Sequence, residues 1–209
     1  MIKVFYSLAA PWSDELHQQN LQLLPVSMQQ KIKLYRDKTV QQQRIIAKLM
    51  LLRLFAETAP ENHYSLNDIK YNRFNKGYID DSIYFNTSYT KGLTICAGSV
   101  ENWVGIDAEI IVPVNVNLFR DYFTEKEWGI LQANAFDLTL FYSFWTRKEA
   151  ALKAIGRGIY EDFNKIDILD DKLSYNGQIW YIQAIRLHYS YSISIVSQMR
   201  EEVSLEIFY

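Results

Sequence analysis

The chain opens on an apolar run, Ile2-Lys3-Val4-Phe5-Tyr6, that predicts a first strand over residues 1–6. Between Ser27 and Pro60 the period lengthens: Ile32, Leu34 and Tyr35, then Ile45, Ile46, Leu49, Leu52 and Phe55, recur at helical spacing. Ser27 can cap this region and Pro60 ends it. From residue 68 the signal turns to short β segments at 68–71, 83–85 and 93–100, with Asn75-Lys76-Gly77 as a turn. Helix followed by hairpins predicts an α+β unit.

A similar order then recurs. The strand Trp103-Val104-Gly105-Ile106-Asp107 leads to Thr124-Glu125-Lys126-Glu127, which has the form of a capping box and predicts a short helix. Asp137 can cap a longer helix reaching about Ala154, with Phe141, Phe144, Trp145, Ala151, Leu152 and Ile155 as apolar positions and Gly156 and Gly158 as the stop. Further β segments follow at 166–169, 180–187, 189–196 and 204–208, with a type I′ hairpin turn at Asn176-Gly177. The reading is an α+β fold in two similar halves, 1–102 and 103–209, which share order but not residues. No Pro/Ser-rich linker separates them, so they are expected to pack tightly and to share a site in the cleft between them.

With 209 residues, either one compact unit or two domains of about 100 residues is allowed. A net charge of −2 gives no global basic field, which argues against a nonspecific nucleic-acid binder; any phosphate site must be local. Cys96 is alone and sits in an apolar run, so it predicts a buried strand position and fits a reducing compartment. No run reaches the ~18 to 20 apolar residues of a membrane span, and the amino terminus lacks the form of a signal peptide. The expectation is a cytoplasmic protein without a membrane or nucleic-acid partner.

Asp107 and Glu109 lie two apart at the end of a predicted strand, so both point to one face. Two like charges held so close favour a hard divalent ion with oxygen ligands between them; the plainer reading is a solvated strand end. Glu149 and Lys153 share a helix face, where an ordinary i,i+4 pair contributes ~0.2–0.5 kcal/mol. His17, His63 and His188 show no ligand spacing.

Taken together, Val104-Gly105-Ile106-Asp107-Ala108-Glu109 and the later Phe144-Trp145-Thr146-Arg147-Lys148-Glu149-Ala150-Ala151-Leu152-Lys153 resemble the two signature motifs of the 4′-phosphopantetheinyl transferase superfamily. The length is similar to that of its Sfp-type branch, monomers whose two halves form a pseudo-dimer. Three looser likenesses lie in the first half. Arg44 stands where the family places an arginine for the 3′-phosphate of coenzyme A. Lys76 resembles the lysine of a nucleotide-contacting Gly-Lys-Pro turn, with Asn75 and Gly77 as departures. Phe85-Asn86-Thr87-Ser88-Tyr89 resembles a Phe-Asn-x-Ser-His segment. Tyr89 replaces the histidine and brings no positive charge, so altered coenzyme A affinity is expected without loss of chemistry.

The resemblance implies Mg²⁺ on Asp107, Glu109 and Glu149, and coenzyme A held by Arg44, Lys76, Ser88, Tyr89, Lys148 and Lys153. The phosphopantetheine arm would pass to a serine of an apo acyl or peptidyl carrier protein, releasing adenosine 3′,5′-bisphosphate. Glu149 is the candidate base, Glu127 the runner-up, and Lys153 with Lys148 would stabilise phosphate charge. Glu127 has the capping box as its structural alternative. The segment from Val112 to Phe123, with Val114, Val116, Leu118, Phe119 and Arg120, is either a carrier-facing surface or ordinary core packing. Rival readings are a noncatalytic coenzyme A or carrier-binding homologue and a metal-dependent nuclease or phosphatase.

Overall fold

In a computed structural model, which describes residues 1–8, 10–80, 82–156 and 163–208, the opening run forms strand β1 (Ile2–Ser7). Its side chains alternate between two cores: Phe5 packs toward the first half's helices, Ile2 and Val4 toward the second half's sheet. Three helices follow, α1 (Asp14–Gln22), α2 (Val26–Lys33) and α3 (Lys38–Thr58). The single helical region expected from the sequence is therefore broken. Asp37 accepts a hydrogen bond from the Thr39 amide and starts α3 afresh, and Ser27 lies inside α2, whose N-cap is Pro25. Helix α1 gave no periodic signal, because Leu21 is its one buried residue.

Strands β2 (Lys70–Tyr71), β3 (Gly77–Ile79), β4 (Ile83–Thr90) and β5 (Leu93–Ser99) complete the first half's share of a six-stranded sheet. Next come β6 (Val104–Ile110), α4 (Glu125–Ala133), α5 (Leu138–Ile155), β7 (Lys172–Tyr175), β8 (Gln178–Ala184), β9 (Tyr191–Ser197) and β10 (Val203–Ile207). The first sheet runs β10-β1-β5-β4-β3-β2 and the second β6-β9-β8-β7. Strand β10 thus returns from the second half to pair parallel with β1. The predicted caps on the second half hold: Thr124 and Glu127 form a capping box, Asp137 accepts from the Leu140 amide, and Gly156 ends α5 in the left-handed region at φ 71°. The turn at Asn176-Gly177 has both residues at positive φ and joins β7 to β8. Gly158 lies outside the described residues.

Residues 166–169 are not a strand. Ile166 and Ile168 are buried, but the Ile166 carbonyl accepts from the Lys148 ammonium and the Ile168 amide donates to Glu127. A buried ion pair satisfies this backbone in place of a neighbouring strand.

The layers stack as α3, first sheet, second sheet, α5. Phe5, Cys96 and Phe85 meet α3; Ile2, Val4, Ile95 and Ala97 meet Val104, Ile106, Ile193 and Ile195 between the sheets; Val196 and Ile182 meet α5. Helix α5 lies so close on β6 that a Cβ on Gly105 would stand 2.2 Å from the Ala150 carbonyl oxygen and 2.3 Å from the Ala154 amide nitrogen. Thr146, fully buried on α5, fixes the helix to β9 through the Ser194 hydroxyl at 2.9 Å and that of Ser192 at 3.1 Å.

One edge of the second sheet, β6, is finished by side chains. Asn86, Ser88 and Thr90, alternate residues of β4, accept from the amides of Ile106, Ala108 and Ile110 at 3.0, 3.3 and 3.1 Å. The joint between the halves is therefore a polar ladder beside an apolar core, and the two acidic strand residues sit along it.

Candidate active site

Asp107 and Glu109 face α5 from β6, lying opposite Ser194 and Ser192 of β9. Asp107 Oδ1 accepts from Lys153 Nζ at 2.6 Å and from Ser88 Oγ at 2.9 Å, and Lys153 Nζ also reaches Ser88 Oγ at 3.3 Å. Glu109 accepts from the Thr90 hydroxyl at 3.2 Å. Residues from β4, β6 and α5 thus meet at one point. Burial, then the charge on Asp107, raises the pKa of Glu109. Glu149, 8% exposed on α5, is pushed up to about 7 by burial, then by Asp107, with Lys153 opposing and Glu109 adding.

Asp107 Oδ2 is buried and makes no hydrogen bond. As they stand, the described residues include no group of three or more His, Cys, Asp or Glu arranged to hold a metal ion, and Lys153 takes Asp107 Oδ1. The chemistry nonetheless fits a hard cation: one orphaned carboxylate oxygen, two neighbouring carboxylates held against their own repulsion, and no soft ligand among them.

Lys153 also borders a cleft of about 480 Å³ between the halves. Asn86, Thr87 and Tyr89 supply polar lining from β4, and Leu51, Phe74 and Leu152 supply apolar walls. Arg44 donates to the Tyr89 hydroxyl, and its guanidinium carbon lies 4.0 Å from that ring's centroid and 5.1 Å from that of Tyr35. Arg44 Nε is buried without a partner.

Sequence reasoning missed Lys48, which lines the same cleft one helical turn beyond Arg44. Burial lowers its pKa, and it forms no salt bridge among the described residues. The i,i+4 spacing of two cations facing inward on one helix was the available signal.

Three expected ligand or catalytic residues have their charged groups engaged with other partners. Glu127 and Lys148 are both 0% exposed and pair with each other at 2.9 Å. Glu127 also accepts from the Thr124 and Ile168 amides, and Lys148 donates to the Phe163 and Ile166 carbonyls. Both charged groups are thus engaged inside the core, and neither bonds to Asp107, Glu149 or Lys153 among the described residues. Lys76, 6% exposed, borders the cleft but spends its ammonium on the carbonyls of Val104 and Lys153, at 2.7 and 2.6 Å. Burial, then the nearby charge on Lys153, brings its pKa down to about 7.

The segment from Val112 to Phe123 divides between the two readings open to it. Val116 and Phe123 are buried, and Phe119 packs edge-on against Phe141 and Trp145. Leu118 is 74% exposed, Val112 and Tyr122 are also exposed, and Arg120 pairs with Glu125.

Fold and site together define an α+β protein whose two halves join at a carboxylate-and-lysine centre beside a cation-bearing cleft. Residues 103–205 match the 4′-phosphopantetheinyl transferase superfamily. The chain is similar to the 4′-phosphopantetheinyl transferase gsp of Aneurinibacillus migulanus, 36% identical over 95 residues, which is 44% of this chain and 40% of that protein. It is similar to the 4′-phosphopantetheinyl transferase Sfp of Bacillus subtilis (strain 168), 28% identical over 98 residues, 46% of this chain and 42% of that protein. A longer match, 25% identical over 195 residues, covers 81% of this chain and 74% of the 4′-phosphopantetheinyl transferase pptA of Paxillus involutus. The match to this superfamily falls on the half that carries Asp107, Glu109, Glu149 and Lys153. It spans about two-fifths of the length of the first two relatives.

Proposed function

We propose that the protein is a 4′-phosphopantetheinyl transferase that moves the phosphopantetheine arm of coenzyme A to a serine of an apo acyl or peptidyl carrier protein, in the presence of Mg²⁺. The observation that carries the reading is the convergence of Asp107, Glu109, Glu149 and Lys153 beside a cleft that Lys48 lines, with Arg44 behind Tyr89 one helical turn before it on α3. Two cations on α3 suit the nucleotide phosphates, and the carboxylates suit the cation that accompanies a pyrophosphate.

Asp107, Glu109 and Glu149 would hold Mg²⁺, which when bound neutralises charge on the pyrophosphate and on the departing oxygen. Lys153 then balances the remaining phosphate charge, with Ser88 and Asp107 fixing its ammonium. The carrier serine oxygen attacks the β-phosphorus of coenzyme A, the bond from that phosphorus to the bridging oxygen breaks, and adenosine 3′,5′-bisphosphate leaves. Glu149, which burial and Asp107 raise to about 7 in the cation-free site, would be kept ionised by Mg²⁺ and so able to take the serine proton. With Glu127 closed off, it is the base we assign.

Leu118, Val112 and Tyr122 supply apolar contact for the carrier. Both halves of the site come from one chain, which suits a monomer. The free thiol of Cys96 suits a reducing, cytoplasmic compartment, and no helix among the described residues is long and apolar enough to cross a membrane.

The test is to incubate the protein with coenzyme A, Mg²⁺ and several apo carrier proteins and weigh the carriers. A mass gain of one phosphopantetheine with release of adenosine 3′,5′-bisphosphate is expected. Unchanged masses across fatty-acid, polyketide and peptide carriers would refute the assignment.

A further inference from the structure

Lys76 was expected to touch the nucleotide, yet its ammonium is committed to the other half of the protein. It bridges the Lys153 carbonyl near the end of α5 and the Val104 carbonyl at the start of β6, at 2.6 and 2.7 Å. The Lys153 carbonyl is one of the last four of α5, which have no partner within the helix. A cation there also complements the negative end of the helix. The indole of Trp103, with its centroid 5.6 Å from Lys76 Nζ, lies over the contact.

The local chain is built to deliver this one side chain. Asn72 Oδ1 accepts from the Phe74 and Lys76 amides at 2.9 and 3.0 Å, and the Asn72 amide donates to the Lys76 carbonyl at 3.0 Å. Asn75, at φ 64°, reverses the chain between them. Asn72 Nδ2 then donates to the Gly156 carbonyl at 3.2 Å, a second bond onto the end of α5. Gly156 leaves room for the approach, because a Cβ there would stand 2.8 Å from Lys76 Cδ. From the first half, the backbone carbonyls at the end of α5 are thus held by the β2–β3 hairpin, while Ser88 of β4 reaches only the Lys153 side chain, as far as the described residues go.

We infer that Lys76 is a positioning residue, clamping the last turn of α5 to β6 so that Lys153 and Glu149 are held against Asp107, and that it is not a ligand contact. Lys153 is then held twice: its carbonyl by Lys76 and its ammonium by Asp107 and Ser88. A displacement of α5 by a fraction of its rise would carry both Lys153 and Glu149 away from Asp107 at once. The catalytic part of this inference rests on the transfer reaction proposed above; the clamp itself does not.

Two kinds of measurement test it. In the wild-type protein, reductive methylation is followed by mass spectrometry with and without coenzyme A. Lys76 is expected to react far more slowly than exposed Lys33 in both conditions; rapid labelling suppressed by coenzyme A would overturn the inference. In Lys76→Met, hydrogen exchange in the last turn of α5 is expected to quicken by about tenfold or more in the free protein. Turnover on an apo carrier is expected to fall about 10- to 100-fold, with the KM for coenzyme A and a binding stoichiometry of one both kept. A raised KM with turnover kept and exchange unchanged would show a ligand contact instead. If the variant does not fold, the wild-type labelling still decides. A wild-type protein that charges no carrier refutes the transfer reading, whereas labelling and exchange still report where Lys76 is spent.

Discussion

Replacing Glu149 by glutamine isolates the electrostatic cost of the carboxylate cluster. In the folded protein this group is raised from 4.5 to about 7, first by burial and then by Asp107. A shift of that size corresponds to about 3 kcal/mol between its neutral and ionised forms. The folded pKa lies above the unfolded one, so between about pH 4.5 and 7 the folded state binds more protons. The stability this group contributes is present in full below about pH 4.5 and is lost as pH rises through about 7. Glutamine keeps the size and removes the charge. Urea unfolding of both proteins in chelator-treated buffer, from about pH 4.5 to 8, should show Glu149→Gln gaining on the wild type by up to about 3 kcal/mol toward the alkaline end. Glu109 is also raised but is common to both proteins. At the alkaline end Mg²⁺ should recover wild-type stability through binding to the folded state, and recover little in the variant. Parallel pH dependence of the two proteins would refute the idea that Glu149 carries the strain of the cluster.

Other substitutions probe the centre and its support. Asp107→Ala should abolish transfer and weaken Mg²⁺ binding while circular dichroism reports an intact fold; an active variant would contradict the metal assignment. Lys148→Met leaves the Glu127 carboxylate buried and unpaired, and should cost about 3–5 kcal/mol in denaturant unfolding. A loss of a few tenths would mean that the pair is not closed off in solution. Gly105→Ala drives a methyl into the α5 backbone 2.2 Å away, so a loss of about 1–3 kcal/mol is expected, read as a lower midpoint at unchanged slope.

What the sequence made legible was local physics. The Thr124 capping box, the Asp137 cap, the Gly156 stop and the Asn176-Gly177 turn are each decided within a few residues, and each is in the structure. Helix α1 was missed because it buries so little, and the break before α3 because the apolar spacing runs across it. The harder failures concern polar residues. The capping box on Glu127 was legible, but its ion pair with Lys148 was not, because charged side chains are seldom fully buried; together they stand in for a strand beside residues 166–169. Nothing near Lys76 in sequence announces that its partners are residues 104 and 153. Within the candidate site, strand alternation and helical spacing put Asp107 with Glu109 and Glu149 with Lys153. The contact between those pairs comes from the close packing of α5 on β6 within the second half, and their neighbour Ser88 from how the halves meet.

That meeting makes each half unfinished without the other. The second sheet receives Asn86, Ser88 and Thr90 along the free edge of β6, while the first receives β10 beside β1. Cutting the chain near residue 102 would therefore give two fragments with raw strand edges, each a template for stray pairing. Mixed, they have reason to choose one another: fragment complementation should recover the fold, and either piece alone should gather into aggregates. The seam that assembles the site is thus also what closes the β6 edge of the second sheet to further copies of the chain.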